Sequence, residues 1–172
     1  AGLIDGWGSP VACIQAMAGR KQREATLVQI EPRLSNTAAG ADRWIPVKPG
    51  TEADLAMGMC GVLLKENLFD PVFAQGFTGG FMRFTAMVQK EYPLDKVAEV
   101  TGVSAADIQK TAIAFAKEKM PVALPGKGRG EGKGGHVVLG DRRRDDVPAE
   151  IPGRVDVLGI LAQLLEQIIA VE

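Results

Sequence analysis

The chain has one histidine and two cysteines among 172 residues, and its formal net charge is only −1. A lone histidine, His136, with no cysteine or carboxylate cluster beside it supports neither a zinc site nor a Ser-His-Asp triad. It reads as structural or solvent-facing, because a catalytic histidine needs positioned partners. Cys13 and Cys60 stand far apart without neighbouring ligand residues. Two buried free thiols are the plain reading, with a disulfide or metal pair as the alternative. The balanced charge, with a pI near 6.0, gives no field for nucleic acid, and the nucleic-acid motifs are missing. No apolar run approaches the ~18 residues that a membrane helix requires, and no targeting signal is visible. With 46% hydrophobic and 24% charged residues, a soluble core for one domain of ordinary size is feasible.

The elements that are present alternate between helix and strand. Ser9 suits an N-cap and Pro10 the first helical position, so a helix is expected over about 10–19, with Val11, Ile14, Met17 and Ala18 as its apolar side. Residues 20–24 read as a charged connector. Residues 26–30 (Thr-Leu-Val-Gln-Ile) are short and β-rich, as a buried parallel strand would be. Residues 35–42 are small and polar, with alanines suited to one helical turn, and 44–47 are extended because Pro46 biases its neighbour away from helix. Gly50 or Thr51 opens a helix over about 52–67, whose apolar face is Leu55, Met59, Val62 and Leu63. Shorter helices follow from Asp70-Pro71, over 81–90 and over 93–100. Ser104 and Asp107 form a capping-box pattern for one running to 119, with Ile108, Ala112, Phe115 and Ala116 inward. Residues 121–124 are a second strand and 136–139 a brief third. Between these two strands, Gly126 to Gly135 holds six glycines, which must be either flexible or pinned by a ligand. The run 141–146 is a self-neutralising charged stretch, and 155–171 carries an amphipathic helical stripe. This alternation favours an α/β layered fold.

Two features carry candidate chemistry. The strand over 26–30 ends in Glu31-Pro32-Arg33, and an acid at the carboxyl end of a strand is suited to accept from ribose hydroxyls. The plain alternative is a surface acid paired with Arg33. Some twenty residues later, Lys48-Pro49-Gly50-Thr51-Glu52 opens a helix, where free backbone N–H groups and a glycine permit close approach of an anion or a polar ring edge. Its plain reading is a simple helix start. Gly126 and Gly128 follow a strand but lack the Gly-Lys-Ser/Thr closure of a Walker loop, so a flexible basic linker stands beside a phosphate loop as the reading.

The ordered run from Glu31-Pro32-Arg33 through Ser35, Thr37-Ala38-Ala39, Ala41-Asp42 and Trp44-Ile45-Pro46-Val47 to Lys48-Pro49-Gly50-Thr51-Glu52 resembles the large subunits of the molybdopterin oxidoreductases, the dimethyl-sulfoxide-reductase family. The polysulfide-reductase-like and menaquinone-reductase-like branch is the most similar. The resemblance covers about 2–130. It implies a Rossmann-like three-layer α/β fold with a parallel sheet, incomplete because the first strand is missing, and a domain over 1–135 that binds one guanine dinucleotide arm of the molybdopterin cofactor. Residues 136–172 are then a tail of unclear origin. By resemblance, Gly6, Gly8 and Ser9 lie near the diphosphate, where the family usually has an asparagine that this chain lacks. Glu31 lies near the ribose. Gly50, Thr51 and Glu52 lie near the guanine, with Glu52 where the family usually has Asp. Arg33 is a further cofactor-binding residue, Lys48 is a partner for phosphate or for Glu52, and Gly126 and Gly128 are again near the cofactor. Neither a metal ligand nor the family's iron–sulfur cysteine cluster is in this sequence, so the isolated chain is expected to be inactive. The implied partners are the remaining domains of a parent subunit and its iron–sulfur and membrane subunits, in a periplasmic or membrane-associated respiratory complex. There is no nucleic acid and no direct membrane insertion. A metal-free family member that serves as a scaffold or electron-transfer subunit of a quinone-reductase complex is the rival reading.

Overall fold

The computed structural model describes residues 9–76, 79–119, 121–124 and 135–139. The described residues fall into two compact units, one drawing on 9–52 and 118–139, the other on 53–117.

The first unit holds helix α1 (Pro10–Gln22), strand β1 (Thr26–Ile30), the single-turn helix α2 (Asn36–Ala39), strand β2 (Arg43–Ile45) and, later in the chain, strands to be numbered β3 (Val122–Leu124) and β4 (Gly135–Leu139). They form one four-stranded sheet in the order β2-β1-β4-β3. β1 and β2 are parallel, with Ile30 beside Ile45. β4 is antiparallel to both of its neighbours, β1 and β3. The strands β1, β2 and β3 therefore all run the same way, and β4 opposes them. The fold is α/β with a small parallel component, as expected, and β4 is inserted within it. Strand β1 is buried on both faces, with Leu27 and Gln29 fully covered and Val28 and Ile30 close to it, as expected of a short parallel strand rich in β-formers.

Helix α1 departs from expectation. It runs to Gln22, three residues past the expected end, and its buried stripe is Cys13, Met17 and Arg20. Val11 and Ile14, expected inward, are 64% and 60% exposed, and Ala18 is exposed as well. The helix carries two competing stripes at helical spacing. The one containing Arg20 faces inward because its guanidinium finds acceptors there: Ala25 O at 2.8 Å, Gly40 O at 3.0 Å and the Asp42 carboxylate. Asp42 Oδ2 also accepts from Leu27 N at 2.8 Å, and Asp42 N donates to Leu27 O at 3.0 Å. A residue that reads locally as part of a charged connector thus ties α1 to the start of β1 and to the turn before β2.

The second unit is helical, with the remainder of α3 (Glu52–Lys65), α4 (Pro71–Gly76), α5 (Phe81–Glu91), α6 (Leu94–Thr101) and α7 (Ala105–Lys117). The expected inward residues Leu55, Met59, Val62 and Leu63 are buried on α3, joined by Met57, Cys60 and Leu64. Ile108, Ala112 and Phe115 are buried on α7. Gly102 ends α6 in the left-handed region at φ 75°, a conformation glycine adopts without penalty. Ser104 caps α7 as expected, its Oγ accepting from Asp107 N at 3.1 Å, while the Asp107 carboxylate accepts from that hydroxyl at 2.7 Å in place of the Ser104 amide of a full capping box. Cys13 and Cys60 are both free and buried.

Candidate functional site

Because β1 and β2 are parallel neighbours in register, the segments that follow them leave the same end of the sheet. Glu31 is the first residue after β1, and the turn containing Pro49 and Gly50 lies a few residues after β2. The strand β3, which precedes Gly126 and Gly128, runs the same way as β1, opposite to the intervening β4. Ligands of open α/β sheets bind outside the carboxyl ends of the strands. The topology thus brings the two acidic candidates, Glu31 and Glu52, to one edge of the first unit.

Glu31 is 3% exposed. Its backbone is fixed on both sides by β2: Glu31 N donates to Ile45 O at 3.3 Å, and Trp44 Nε1 donates to Glu31 O at 3.1 Å. Its carboxylate Oε1 accepts from Ser35 N at 3.2 Å and from Ser35 Oγ. Ser35 Oγ in turn accepts from Ala38 N at 3.2 Å, so one hydroxyl caps α2 and holds Glu31. No ion pair joins Glu31 to Arg33 among the described residues, and Arg33 is exposed. Glu31 is therefore a fixed buried acceptor, not a surface acid.

The second candidate is a tight turn. Lys48 O accepts from Thr51 N at 3.2 Å and from Thr51 Oγ1 at 2.8 Å. Pro49 and Gly50 occupy its centre, with Gly50 at φ 81°, the type II geometry that requires glycine in the second central place. A Cβ added at Gly50 would meet nothing within 4 Å, so the backbone there is open to approach. Thr51's hydroxyl proton is committed to Lys48 O, which leaves its oxygen as an acceptor. Glu52, the first residue of α3, has its Oε1 buried with no hydrogen-bond partner among the described residues. Lys48 is exposed.

Of the remaining candidates, Ser9 is exposed and precedes α1, with no side-chain cap bond; its carbonyl accepts from Cys13 N at 3.1 Å. Gly6, Gly8, Gly126 and Gly128 lie outside the described residues, as do His136's side chain, the charged run and the 155–171 stripe. Ser35, Trp44 and the Arg20–Asp42 pair were not singled out from sequence. The N-cap pattern at Ser35 was a usable signal for α2, but nothing local announces that its hydroxyl also donates to an acid four residues back. No group of three or more histidine, cysteine or acidic side chains able to hold a metal occurs among the described residues. No described helix is long and apolar enough to cross a membrane.

No family model matches this chain. Acetylene hydratase of Syntrophotalea acetylenica is 42% identical over 104 residues, 60% of this chain and 14% of that protein. The menaquinone reductase molybdopterin-binding-like subunit of Nitratidesulfovibrio vulgaris is 32% identical over 143 residues, 81% of this chain and 20% of that protein. Among solved structures, acetylene hydratase from Pelobacter acetylenicus superposes with a TM-score of 0.59 at 39% identity, covering 63% of this chain and 15% of that one. The chain thus spans between 14% and 20% of the length of these two curated relatives.

Proposed function

We propose that this chain, whose homologues are members of the molybdopterin oxidoreductase family, is the part of a large subunit that receives one guanine dinucleotide arm of the cofactor. The observation that carries this is Glu52 Oε1, a buried acceptor without a donor among the described residues, beside a glycine turn where an added Cβ would meet nothing within 4 Å. A buried carboxylate oxygen requires a donor, and its isolation is costly unless something supplies one. Guanine N1–H and N2–H form such a donor pair, whereas adenine has no equivalent. The residues present therefore fit the base end of the arm. In this reading Glu52 and the backbone at Gly50 and Thr51 meet the base, Glu31 meets the ribose, and Arg33 and Lys48 lie toward the phosphates. Ser9 borders the diphosphate. When bound, the cofactor supplies the electron-transfer chemistry, and this chain's own contribution is binding and orientation. The parent is a respiratory reductase large subunit that works with iron–sulfur and membrane subunits, in or beside the periplasm.

A second reading is favoured by one relative in particular. The Nitratidesulfovibrio subunit aligned over 81% of this chain is named molybdopterin-binding-like, which suits a metal-free scaffold of a quinone-reductase complex. Denaturing the purified full-length polypeptide and identifying the released small molecules separates the readings. Guanine nucleotide released together with molybdenum or tungsten supports the first. Guanine nucleotide without metal supports the second. Release of neither, from polypeptide purified with its partner subunits, removes both.

A further inference from the structure

The hydrogen bonds around Glu31 point to a residue whose role no sequence motif announced. We infer that Ser35 is a positioning residue, which holds the Glu31 carboxylate so that its second oxygen faces the ribose hydroxyls. This rests on the reading of Glu31 given above.

Five hydrogen bonds hold Ser35 and Glu31 in place. Ala38 N donates to Ser35 Oγ at 3.2 Å, which takes up an acceptor site of that hydroxyl. Its single proton goes to Glu31 Oε1, and Ser35 N adds a second donor to the same oxygen at 3.2 Å. Chained donors of this kind polarise and stiffen one another. At the other end, Trp44 Nε1 and Ile45 O fix the Glu31 carbonyl and amide. Both ends of the Glu31 side chain are thereby held. Serine and glutamate are 8% and 3% exposed, so water competes little for these bonds. Both hydrogen bonds to the carboxylate fall on Oε1, and none among the described residues reaches Oε2. A carboxylate has lone pairs on both oxygens. With Oε1 saturated by Ser35, Oε2 is the oxygen available to a ligand, and a ribose cis-diol offers the donors it lacks. A helix cap alone would not require Ser35 to donate to an acid. The same cap could be made by an acceptor with no proton, as Asp is at many N-caps.

That difference is the basis of the test. GDP and 2′,3′-dideoxy-GDP are titrated into the cofactor-free full-length polypeptide, with ADP as a control for the base. The unaltered polypeptide is expected to favour GDP over the dideoxy compound about tenfold, the worth of one charge-assisted bond. Ser35→Ala and Ser35→Gly should each bring that ratio near one. Ser35→Gly removes the hydroxyl but is well tolerated at an N-cap, and so guards against a simple folding failure. Ser35→Thr, which restores the hydroxyl, should restore the ratio. The preference for GDP over ADP, which belongs to the turn at Glu52, should persist in all three variants. If the ribose ratio survives in both Ser35→Ala and Ser35→Gly, Ser35 is a helix cap only and the inference is overturned. If the unaltered polypeptide shows no ribose ratio while still preferring GDP to ADP, the assignment of Glu31 to the ribose fails first, and this inference falls with it.

Discussion

Asp42 illustrates how much a single side chain can anchor. Its carboxylate meets the Arg20 guanidinium and the Leu27 amide, while its own amide donates to the Leu27 carbonyl. The Arg20 side chain is 8% exposed and that of Asp42 50%. Removing the acid would leave a buried cation with only carbonyl partners, a loss that costs several kcal/mol in a dry site and less here because Asp42 is half in water. Asp42→Ala is expected to lower stability by about 2 kcal/mol in urea unfolding, and Asp42→Asn by less, since its amide oxygen can still accept from Leu27 N. A change under roughly 0.5 kcal/mol for Asp42→Ala, the range of ordinary surface substitutions, would show the pair to be ornamental. Glu31 shows the opposite balance. Its burial and its Ser35 partner were not legible in the sequence, which offered only an acid after a strand. The short link between residues 31 and 35 is made by a hydroxyl that also accepts from Ala38 N, so its direction depends on α2.

The helices of the second unit make two claims that can be measured. Gly58 on α3 faces Val97 on α6 so closely that an added Cβ would lie 2.7 Å from Val97 Cγ1 and 3.1 Å from Cγ2. Val97 is β-branched and 2% exposed, so it has little room to turn aside. Gly58→Ala gains up to about 1 kcal/mol of helix propensity but overpacks the contact by about 1–3 kcal/mol. A net destabilisation of about 1 kcal/mol is expected, relieved when Val97→Ala is added, and thermal unfolding of the pair tests it. Two residues further on, burial pushes the Cys60 thiol up from 9.0 to about 12. The unfolded thiol ionises first, so Cys60 contributes stability in full below pH 9 and loses it progressively as the pH rises towards 12. Unfolding midpoints at pH 8 and pH 10.5 should therefore fall more steeply for the unaltered chain than for Cys60→Ala; parallel slopes would contradict this. The helices themselves were legible because caps and periodic apolar faces are local: Ser104 with Asp107, and Leu55 through Leu63, act where they stand. The facing of helix α1 is not legible locally, because two stripes fit its sequence equally and the deciding partners, Gly40 and Asp42, lie a strand away. The place of β4 beside β1 was equally invisible, since strand order is a long-range choice that five residues of pattern do not encode.

In the sheet as a whole, strand direction decides which residues can share a site. Parallel β1 and β2 deliver Glu31 and the Lys48–Thr51 turn to one edge of the sheet, and the chain's homologues use large polypeptides of which it spans about a seventh to a fifth. The fragment of pattern that was readable, an acid after a strand and an acid after Pro-Gly-Thr, is the part whose chemistry is local. The central claim is that Glu52 reads guanine. The most direct measurement is calorimetric titration of GDP and ADP into the cofactor-free full-length polypeptide and its Glu52→Gln variant. The amide would turn one donor toward a guanine donor and forfeit a charge-assisted bond of about 1.5–3 kcal/mol. GDP affinity should fall about tenfold or more, while ADP, which lacks the donor pair, should change little. Equal loss for both nucleotides, or no loss for either, would leave Glu52 as a helix-start acid and contradict the account.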